Sequence, residues 1–312
     1  MPLSHFFNSM IWNICVRIVL ILPLFANAGN QSIRLAFLFA FGKSGSKAGQ
    51  FLQPHDVYIS SRGEVFVSDP GNHRIQKFDM NGCYQGETGG FGFNPGQFNS
   101  TGGLGQGQGF NILVCDRLNQ RFQQYDERLN LVSTFPAGID PQIKANRGNP
   151  LWLAWGPQGD IYFSEQLEHR IIRINSFNET IYRFNEPWSE GFSLKDPQGL
   201  VIQDGLVWIA DAGDNRIVAF DLNGQFHHIL KHASLAYPVD IAADELGYLY
   251  VSNPGENSIV VFNKSNGFES EWGRKEHPSL ALQSPSGIGY YQNRLYICEQ
   301  GADRIVVWEK SQ

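Results

Sequence analysis

The 312-residue sequence contains few charged residues and no cluster of basic ones. Only 17% of its residues are charged, and the formal net charge at pH 7 is −6. Proteins that bind DNA or RNA neutralise phosphates with grouped Lys and Arg side chains. The composition therefore predicts no nucleic-acid partner, while the 42% share of apolar residues is ample for a folded core.

The sequence also lacks an apolar run long enough to cross a membrane. A spanning helix needs about 20 apolar residues, and the longest candidate extends only from Ile18 to Phe25. This run follows Arg17 and precedes the small residues Ala26 and Ala28, an order typical of a secretory signal peptide. We predict that residues 1–28 are a cleaved signal peptide and that the mature chain is secreted or periplasmic, without a stable membrane span. An uncleaved anchor is the alternative.

Motifs of nucleophilic catalysis and phosphate binding are missing as well. There is no Gly-x-Ser-x-Gly elbow, and the glycine-rich segment 102–109 does not open a helix whose N-terminus would bind a phosphate. We therefore predict no catalytic residue from motifs alone.

What the sequence does contain is one short pattern that occurs six times. An acidic residue is followed five positions later by arginine, and successive copies stand between 42 and 49 residues apart. The pairs are Asp69 and Arg74, Asp116 and Arg121, Glu165 and Arg170, Asp211 and Arg216, and Glu299 and Arg304, while the fifth copy has Asn253 and Ser258. A carboxylate and a guanidinium at this spacing can fix a turn through charge-assisted hydrogen bonds. Because both members become neutral together in the fifth copy, we assign the pairs to structure.

Each repeat also has the pattern of a small β-sheet. An unbroken apolar triplet, such as Val65 to Val67, precedes each acidic position, which indicates a strand covered on both faces. Repeats of this size bury their apolar faces on one another. We predict an all-β, six-bladed β-propeller of four-stranded antiparallel blades, a single domain over residues 29–312. The last repeat is one strand short, so we expect residues 33–41 to complete the last blade.

The first repeat carries a family resemblance. The matching residues are Pro54, Val57 to Ile59, Gly63, Val65 to Val67, Asp69, Asn72 to Gln76, Phe78 and Asp79. This segment resembles the NHL repeat, the unit of a family of six-bladed propellers, and the likeness extends over about residues 33–310. The resemblance implies the fold; members of the family serve as RNA binders, protein-interaction platforms and lyases, so it does not determine the function.

Ligands of propellers usually bind at the mouth of the central channel, where the innermost strands begin. Counting back from the acidic positions gives one ring of equivalent residues: His55, Gly102, Leu151, Gln198, Val239 and Ser286. The next ring is Asp56, Gly103, Trp152, Gly199, Asp240 and Gly287. From these rings we take His55, Asp56, Trp152, Gln198 and Asp240 as candidate ligand-binding residues.

The sequence supplies few residues for a metal site at this mouth. The peptide-amidating lyase propellers, which this chain resembles, hold zinc with several histidines, but only His55 falls at such a position here. Asp56 and Asp240 are weaker candidates for calcium, with His55 nearby; alternatively, each Asp caps a turn. No cofactor is therefore predicted firmly.

Two functions remain open from the sequence. The first is a non-enzymatic binding platform whose Trp152, Trp155 and Trp188 contact a protein, peptide or glycan. The alternative is a metal-dependent lyase or hydrolase that works at the same mouth through His55, Asp56 and Asp240.

Overall fold

The computed structural model describes residues 33–137, 149–176, 180–184, 193–263, 265–273 and 281–311. These residues form six antiparallel sheets of four strands each, arranged as the blades of a propeller. The predicted signal peptide and Trp188 lie outside the described residues. No helix within the described ranges is both long and apolar enough to cross a membrane.

The blades follow one another along the chain and are numbered in that order. The strands of each blade are given from the axis outward. Blade 1 contains β2 (Val57–Ile59), β3 (Val65–Asp69), β4 (Arg74–Phe78) and β5 (Tyr84–Gly89). Blade 2 contains β6 (Thr101–Gln106), β7 (Ile112–Asp116), β8 (Arg121–Tyr125) and β9 (Leu131–Pro136). Blade 3 contains β10 (Pro150–Trp155), β11 (Ile161–Glu165), β12 (Arg170–Ile174) and β13 (Thr180–Phe184).

The remaining three blades repeat this order, and the last one takes its outermost strand from the beginning of the chain. Blade 4 contains β14 (Pro197–Gln203), β15 (Leu206–Asp211), β16 (Arg216–Asp221) and β17 (Phe226–Leu230). Blade 5 contains β18 (Asp240–Ala243), β19 (Leu249–Asn253), β20 (Ser258–Phe262) and β21 (Phe268–Trp272). Blade 6 contains β22 (Pro285–Tyr291), β23 (Arg294–Glu299), β24 (Arg304–Ser311) and β1 (Arg34–Phe41).

The core lies between the blades rather than at the axis. Every residue of β3, β7 and β11 is buried, because each of these strands is covered by sheets on both sides. The outermost strand β5 instead alternates between half-buried and exposed residues, because only one of its faces packs. The apolar triplets of the sequence therefore mark the second strand of each blade.

The ring is closed by β1, which pairs antiparallel with β24 from Arg34 opposite Ser311 to Phe41 opposite Ile305. Phe39 is only 5% exposed and packs in a cluster with residues of blades 6 and 1. Without β1, the outer edge of β24 would lack its backbone partners. The predicted closure of the last blade by residues 33–41 is confirmed.

A side-chain oxygen at the end of each second strand holds the segment that leads into the innermost strand of the same blade. Asp69 Oδ1 accepts a hydrogen bond from the backbone N–H of Leu52 at 2.8 Å. The same contact occurs in the other five blades, with the N–H groups of residues 99, 149, 195, 236 and 283 as donors. Even Asn253, which carries no charge, retains an oxygen that accepts this bond.

The second oxygen of each acid faces the arginine of its repeat. Nε of Arg74 lies 2.9 Å from Asp69 Oδ2, and the corresponding distance from Arg216 to Asp211 is 2.7 Å. Arg121 and Arg304 make the same hydrogen bond, while Nε of Arg170 is 3.4 Å from Glu165 Oε2. In blade 5, Asn253 Nδ2 donates to Ser258 Oγ at 3.0 Å.

We predict that Phe39→Ala lowers the free energy of unfolding by about 3 kcal/mol, because it leaves a cavity beneath the closing strand. Phe93→Ala, at a side chain that is 68% exposed, is the control and should change it by less than about 0.5 kcal/mol. Urea unfolding measures both values. Equal stability of the two variants would show that β1 contributes little to closure.

Candidate binding site at the channel mouth

The two ends of the propeller differ in the chain segments that form them. The turn face carries the turns between second and third strands, such as Pro70–Asn72 and Arg117–Asn119, together with the starts of the innermost strands. The hairpin face carries the turns between first and second strands, such as residues 60–64. We use these two names below.

Large and small residues alternate around the axis where the innermost strands begin. Asp56, Trp152 and Asp240 occupy blades 1, 3 and 5, whereas blades 2, 4 and 6 have Gly103, Gly199 and Gly287. A Cβ atom on Gly199 would lie 2.1 Å from Asp240 Oδ1, and one on Gly287 would lie 2.4 Å from Asp56 Cα. The glycines are therefore required for the three larger residues to fit around the axis.

The residue that precedes each acidic position shows the same alternation. Ser68, Ser164 and Ser252 accept hydrogen bonds at Oγ from the backbone N–H groups of Asp56, Trp152 and Asp240 respectively. Blades 2, 4 and 6 have Cys115, Ala210 and Cys298 at this position, all fully buried. The six blades thus form three pairs, a regularity that is already present in the sequence.

Asp56 and Asp240 each bind the backbone of the following blade. Asp56 Oδ2 accepts the N–H of Leu104 at 2.7 Å, and its Oδ1 accepts the N–H of Val57 at 2.7 Å. Asp240 Oδ2 likewise accepts the N–H of Ile288 at 2.9 Å. Both carboxyl groups therefore join neighbouring blades, in addition to the local capping that was one alternative from the sequence.

The surroundings of these two carboxyl groups favour their neutral forms. Burial raises the pKa of Asp56, although the N–H groups of Leu104 and Val57 act in the opposite direction. Burial also raises the pKa of Asp240, and the charge of Asp56 raises it further. Asp56 and Asp240 are 5% and 6% exposed, so solvent does little to stabilise a second negative charge.

A cavity of about 280 Å³ lies along the axis toward the hairpin face. Asp56, Trp152 and Asp240 form its base, and aliphatic and aromatic side chains of the innermost strands line its wall. Trp155, which we expected to contact a partner, is part of this wall. Asp56 directly precedes β2, Trp152 lies in β10 and Asp240 begins β18.

On the turn face, His55 lies at the centre of a group of polar side chains. Its ring packs on that of Trp152, with centroids 4.4 Å apart, and its Nδ1 is 3.4 Å from Gln300 Nε2. Arg117 Nη2 donates a hydrogen bond to Gln166 Oε1. Gln198, the remaining candidate from the sequence, is 7% exposed and donates from Nε2 to Asp196 Oδ1 at 2.8 Å.

Sequence reasoning missed Arg117, Gln166 and Gln300. All three directly follow the repeated acid, where the other blades have Pro70, Ala212 and Pro254. A comparison of this single position across the six repeats would have revealed three polar residues among otherwise small or cyclic ones. The position lies next to the mouth because the chain turns there between the second and third strands.

The group on the turn face carries one cation and a neutral imidazole. Burial lowers the pKa of His55 to about 3, and the positive charge of Arg117 contributes to this shift. Burial also lowers the pKa of Arg117, but a guanidinium remains protonated at neutral pH. The mouth therefore presents nitrogen donors together with a positive charge.

The fold defines the class of protein: the chain is a six-bladed β-propeller. The NHL repeat family matches residues 51–78, the segment of blade 1 that holds Asp69 and Arg74. Blade 1 therefore contains an NHL repeat, and the same turn pattern recurs in phase in the other five blades of the propeller.

Comparison with curated proteins shows partial similarity. The peptidyl-glycine alpha-amidating monooxygenase of Mus musculus is 30% identical over 218 residues, which cover 64% of this chain and 22% of that protein. The matched segment spans less than a quarter of the mouse protein.

Solved structures show the same fold at lower sequence identity. A virginiamycin B lyase from Staphylococcus aureus in complex with quinupristin superposes with a TM-score of 0.63 at 17% identity, covering 89% of this chain and 99% of the other. A gluconolactonase from Xanthomonas campestris superposes with a TM-score of 0.66 at 14% identity, covering 95% and 100%. At such identities the likeness establishes the fold alone, and the type of function is left undetermined.

We predict that Gly287→Ala lowers the free energy of unfolding by about 2 kcal/mol, because the added methyl group meets the backbone of Asp56. The control is Gly86→Ala in β5, where the nearest atom to the new Cβ is 3.8 Å away. It should change stability by less than about 0.5 kcal/mol. Thermal unfolding measures both, and similar losses would argue against crowding at the axis.

We also predict that stability falls as the pH rises from about 5 to about 8. The folded protein binds the protons of Asp56 and Asp240 more tightly than the unfolded chain, whose carboxyl pKa is about 4. Asp56→Asn removes one of these groups and the charge that raises the pKa of Asp240, so the slope should become shallower. Urea unfolding across this pH range measures the slope.

The exposed Asp204 supplies the control for this slope. Asp204→Asn makes the same change in net charge and should leave the pH dependence of unfolding as it is in the unmodified protein. A slope that Asp56→Asn does not alter would contradict the assignment to the axial pair.

Proposed function

We propose that the chain is an exported, non-enzymatic binding platform that holds a protein, peptide or glycan on its turn face. The distribution of exposed apolar side chains carries this proposal. Among the described residues, six of the twelve large apolar side chains that are exposed belong to the turn face: Leu52, Phe91, Phe93, Leu118, Leu167 and Tyr237. Apolar side chains grouped around a polar centre are typical of interaction sites.

Blades 2 and 3 contribute most directly to this surface. Leu118 and Leu167 occupy the second position of their turns and are 51% and 65% exposed. The other four blades have glycine at this position, and a Cβ atom on Gly255 would lie 2.4 Å from the carbonyl oxygen of Ala236. Leu118 and Leu167 expose apolar side chains at this position, which gives one sector of the face an apolar rim.

The rigidity of the scaffold supports recognition. In blade 1, the guanidinium of Arg74 donates to the backbone carbonyl groups of Ser46, Lys47 and Gln50 in the loop that enters the blade. Arg121 makes equivalent bonds to the next such loop, which carries Phe91 and Phe93. Loops fixed in this way lose little conformational entropy on binding.

The alternative function is a metal-dependent lyase or hydrolase. A lyase and a gluconolactonase are among the solved structures that share the fold. The proposed metal ligands of such an enzyme would be His55, Asp56 and Asp240. Each of these Asp residues already binds backbone N–H groups, and burial disfavours its charged form. In the described part of the chain, no three His, Cys, Asp or Glu side chains are grouped so that they could hold a metal ion. We therefore favour the platform.

We predict that peptides selected on the immobilised mature protein from a random phage-displayed library bind at least about tenfold more weakly to Leu118→Ser/Leu167→Ser. The double substitution removes apolar contact area from the turn face, and each buried leucine contributes more than the about 1.4 kcal/mol that corresponds to tenfold. Isothermal titration calorimetry with the selected synthetic peptides measures the dissociation constants.

The matched control is Leu131→Ser/Leu246→Ser, which changes two exposed leucines away from the turn face. It should bind the selected peptides within about twofold of the unmodified protein. Equal loss in both double variants, or no enrichment of any peptide, would contradict the proposal. A fall in melting temperature on dialysis against EDTA would instead favour the metal-dependent enzyme.

A further inference from the structure

Three buried nitrogen atoms at the mouth have no hydrogen-bond partner among the described residues. They are Nε2 of His55, Nε1 of Trp152 and Nε of Arg117. The Trp152 side chain is 2% exposed, and its indole N–H has no acceptor in the described part of the chain. Native proteins rarely leave buried donors unpaired, because the loss of hydration is then not compensated.

The contact with Gln300 assigns the donor role of the imidazole. Gln300 Nε2 lies 3.4 Å from His55 Nδ1, and an amide nitrogen can only donate. When Gln300 donates in this contact, Nδ1 accepts and the neutral ring carries its proton on Nε2. His55 thus adds a third N–H group to those of Trp152 and Arg117, and all three are donors.

The guanidinium of Arg117 is hydrogen-bonded to a neutral side chain. The side chain of Arg117 is bonded to the amide oxygen of Gln166, and in the described part of the chain no carboxylate is among its hydrogen-bond partners. The positive charge of Arg117 acts on the imidazole of His55 and lowers its pKa. A half-buried guanidinium with an unused N–H group is the usual complement of a carboxylate.

We propose that the mouth binds a carboxylate group of the ligand, held by Arg117 and by the N–H groups of His55 and Trp152. This proposal deepens the proposed function and rests on it. A carboxylate only accepts hydrogen bonds, so its chemistry matches a set of donors. Leu118 and Leu167, which follow Arg117 and Gln166 directly, would contact the apolar part of the same ligand.

The axial carboxyl groups do not prevent this binding. Asp56 and Asp240 belong to the same ring of residues as Trp152, but burial favours their protonated forms. Their oxygens are also turned toward the backbone N–H groups of Leu104 and Ile288. Arg117, whose charge acts on His55, is the cationic group that would pair with the incoming carboxylate.

The carboxylate could come from a small organic acid or from an acidic side chain of a polypeptide, and the experiment separates the two. Hexanoate and its uncharged analogue hexanamide are titrated into the ¹⁵N-labelled mature protein in buffer free of other carboxylates. We expect hexanoate, but not hexanamide, to shift the indole N–H signal of Trp152 downfield in a saturable manner. In Arg117→Gln, the affinity for hexanoate should fall at least about tenfold.

The matched control for charge is Arg128→Gln, at an exposed residue on the hairpin face. It should bind hexanoate within about twofold of the unmodified protein. The polypeptide source is tested with a blocked tetrapeptide of Gly, Leu, Asp and Gly against its Asn counterpart. If only the Asp peptide binds in a saturable manner, the proposal is supported and the carboxylate comes from a polypeptide. If hexanoate binds, the proposal is supported and a free organic acid is sufficient.

The proposal is overturned if neither probe shifts the Trp152 signal, or if Arg117→Gln binds as well as the unmodified protein. Backbone amide spectra establish that Arg117→Gln is folded. The proposed function has its own test: loss of selected peptides in Leu118→Ser/Leu167→Ser without any response to carboxylates would leave the platform standing and remove only the carboxylate site.

Discussion

The structure depends on one hydrogen bond that recurs in every blade. A side-chain oxygen at the end of the second strand accepts the backbone N–H of the residue that leads into the innermost strand. This bond determines where each innermost strand begins and hence which residues face the axis. The fifth blade shows that the acceptor oxygen is the essential feature, because Asn253 supplies it without a charge. The arginine then adds a second contact to a position already defined.

Equivalent residues at the beginning of the six innermost strands meet around the axis, where space is limited. The molecule accommodates them by alternating Asp56, Trp152 and Asp240 with three glycines. The ring of His55 packs on Trp152, while the carboxyl groups of Asp56 and Asp240, which burial holds toward their neutral forms, bond to neighbouring blades.

The same constraint explains why the fold says little about function. The repeated residues are needed for the turn hydrogen bonds and for packing between blades. The residues that distinguish one propeller from another therefore lie at positions outside the repeated pattern. The residue after the acid is the clearest case, since it is Arg117 in blade 2 and Pro70 in blade 1. Propellers that share the scaffold at 14 to 17% identity are free to differ there.

The sequence by itself determined the strands, the number of blades, the pairing of Asp69 with Arg74 and the closure by residues 33–41. These features depend on the spacing of residues within one repeat or on the number of repeats, and both can be read directly from the sequence. Only the tertiary structure decided that Arg117 and Gln300 lie beside His55, that Asp56 binds Leu104, and that Trp155 lines the cavity. These contacts join different blades or face the axis, and they depend on how the ring closes, a geometry that no periodicity along the chain encodes.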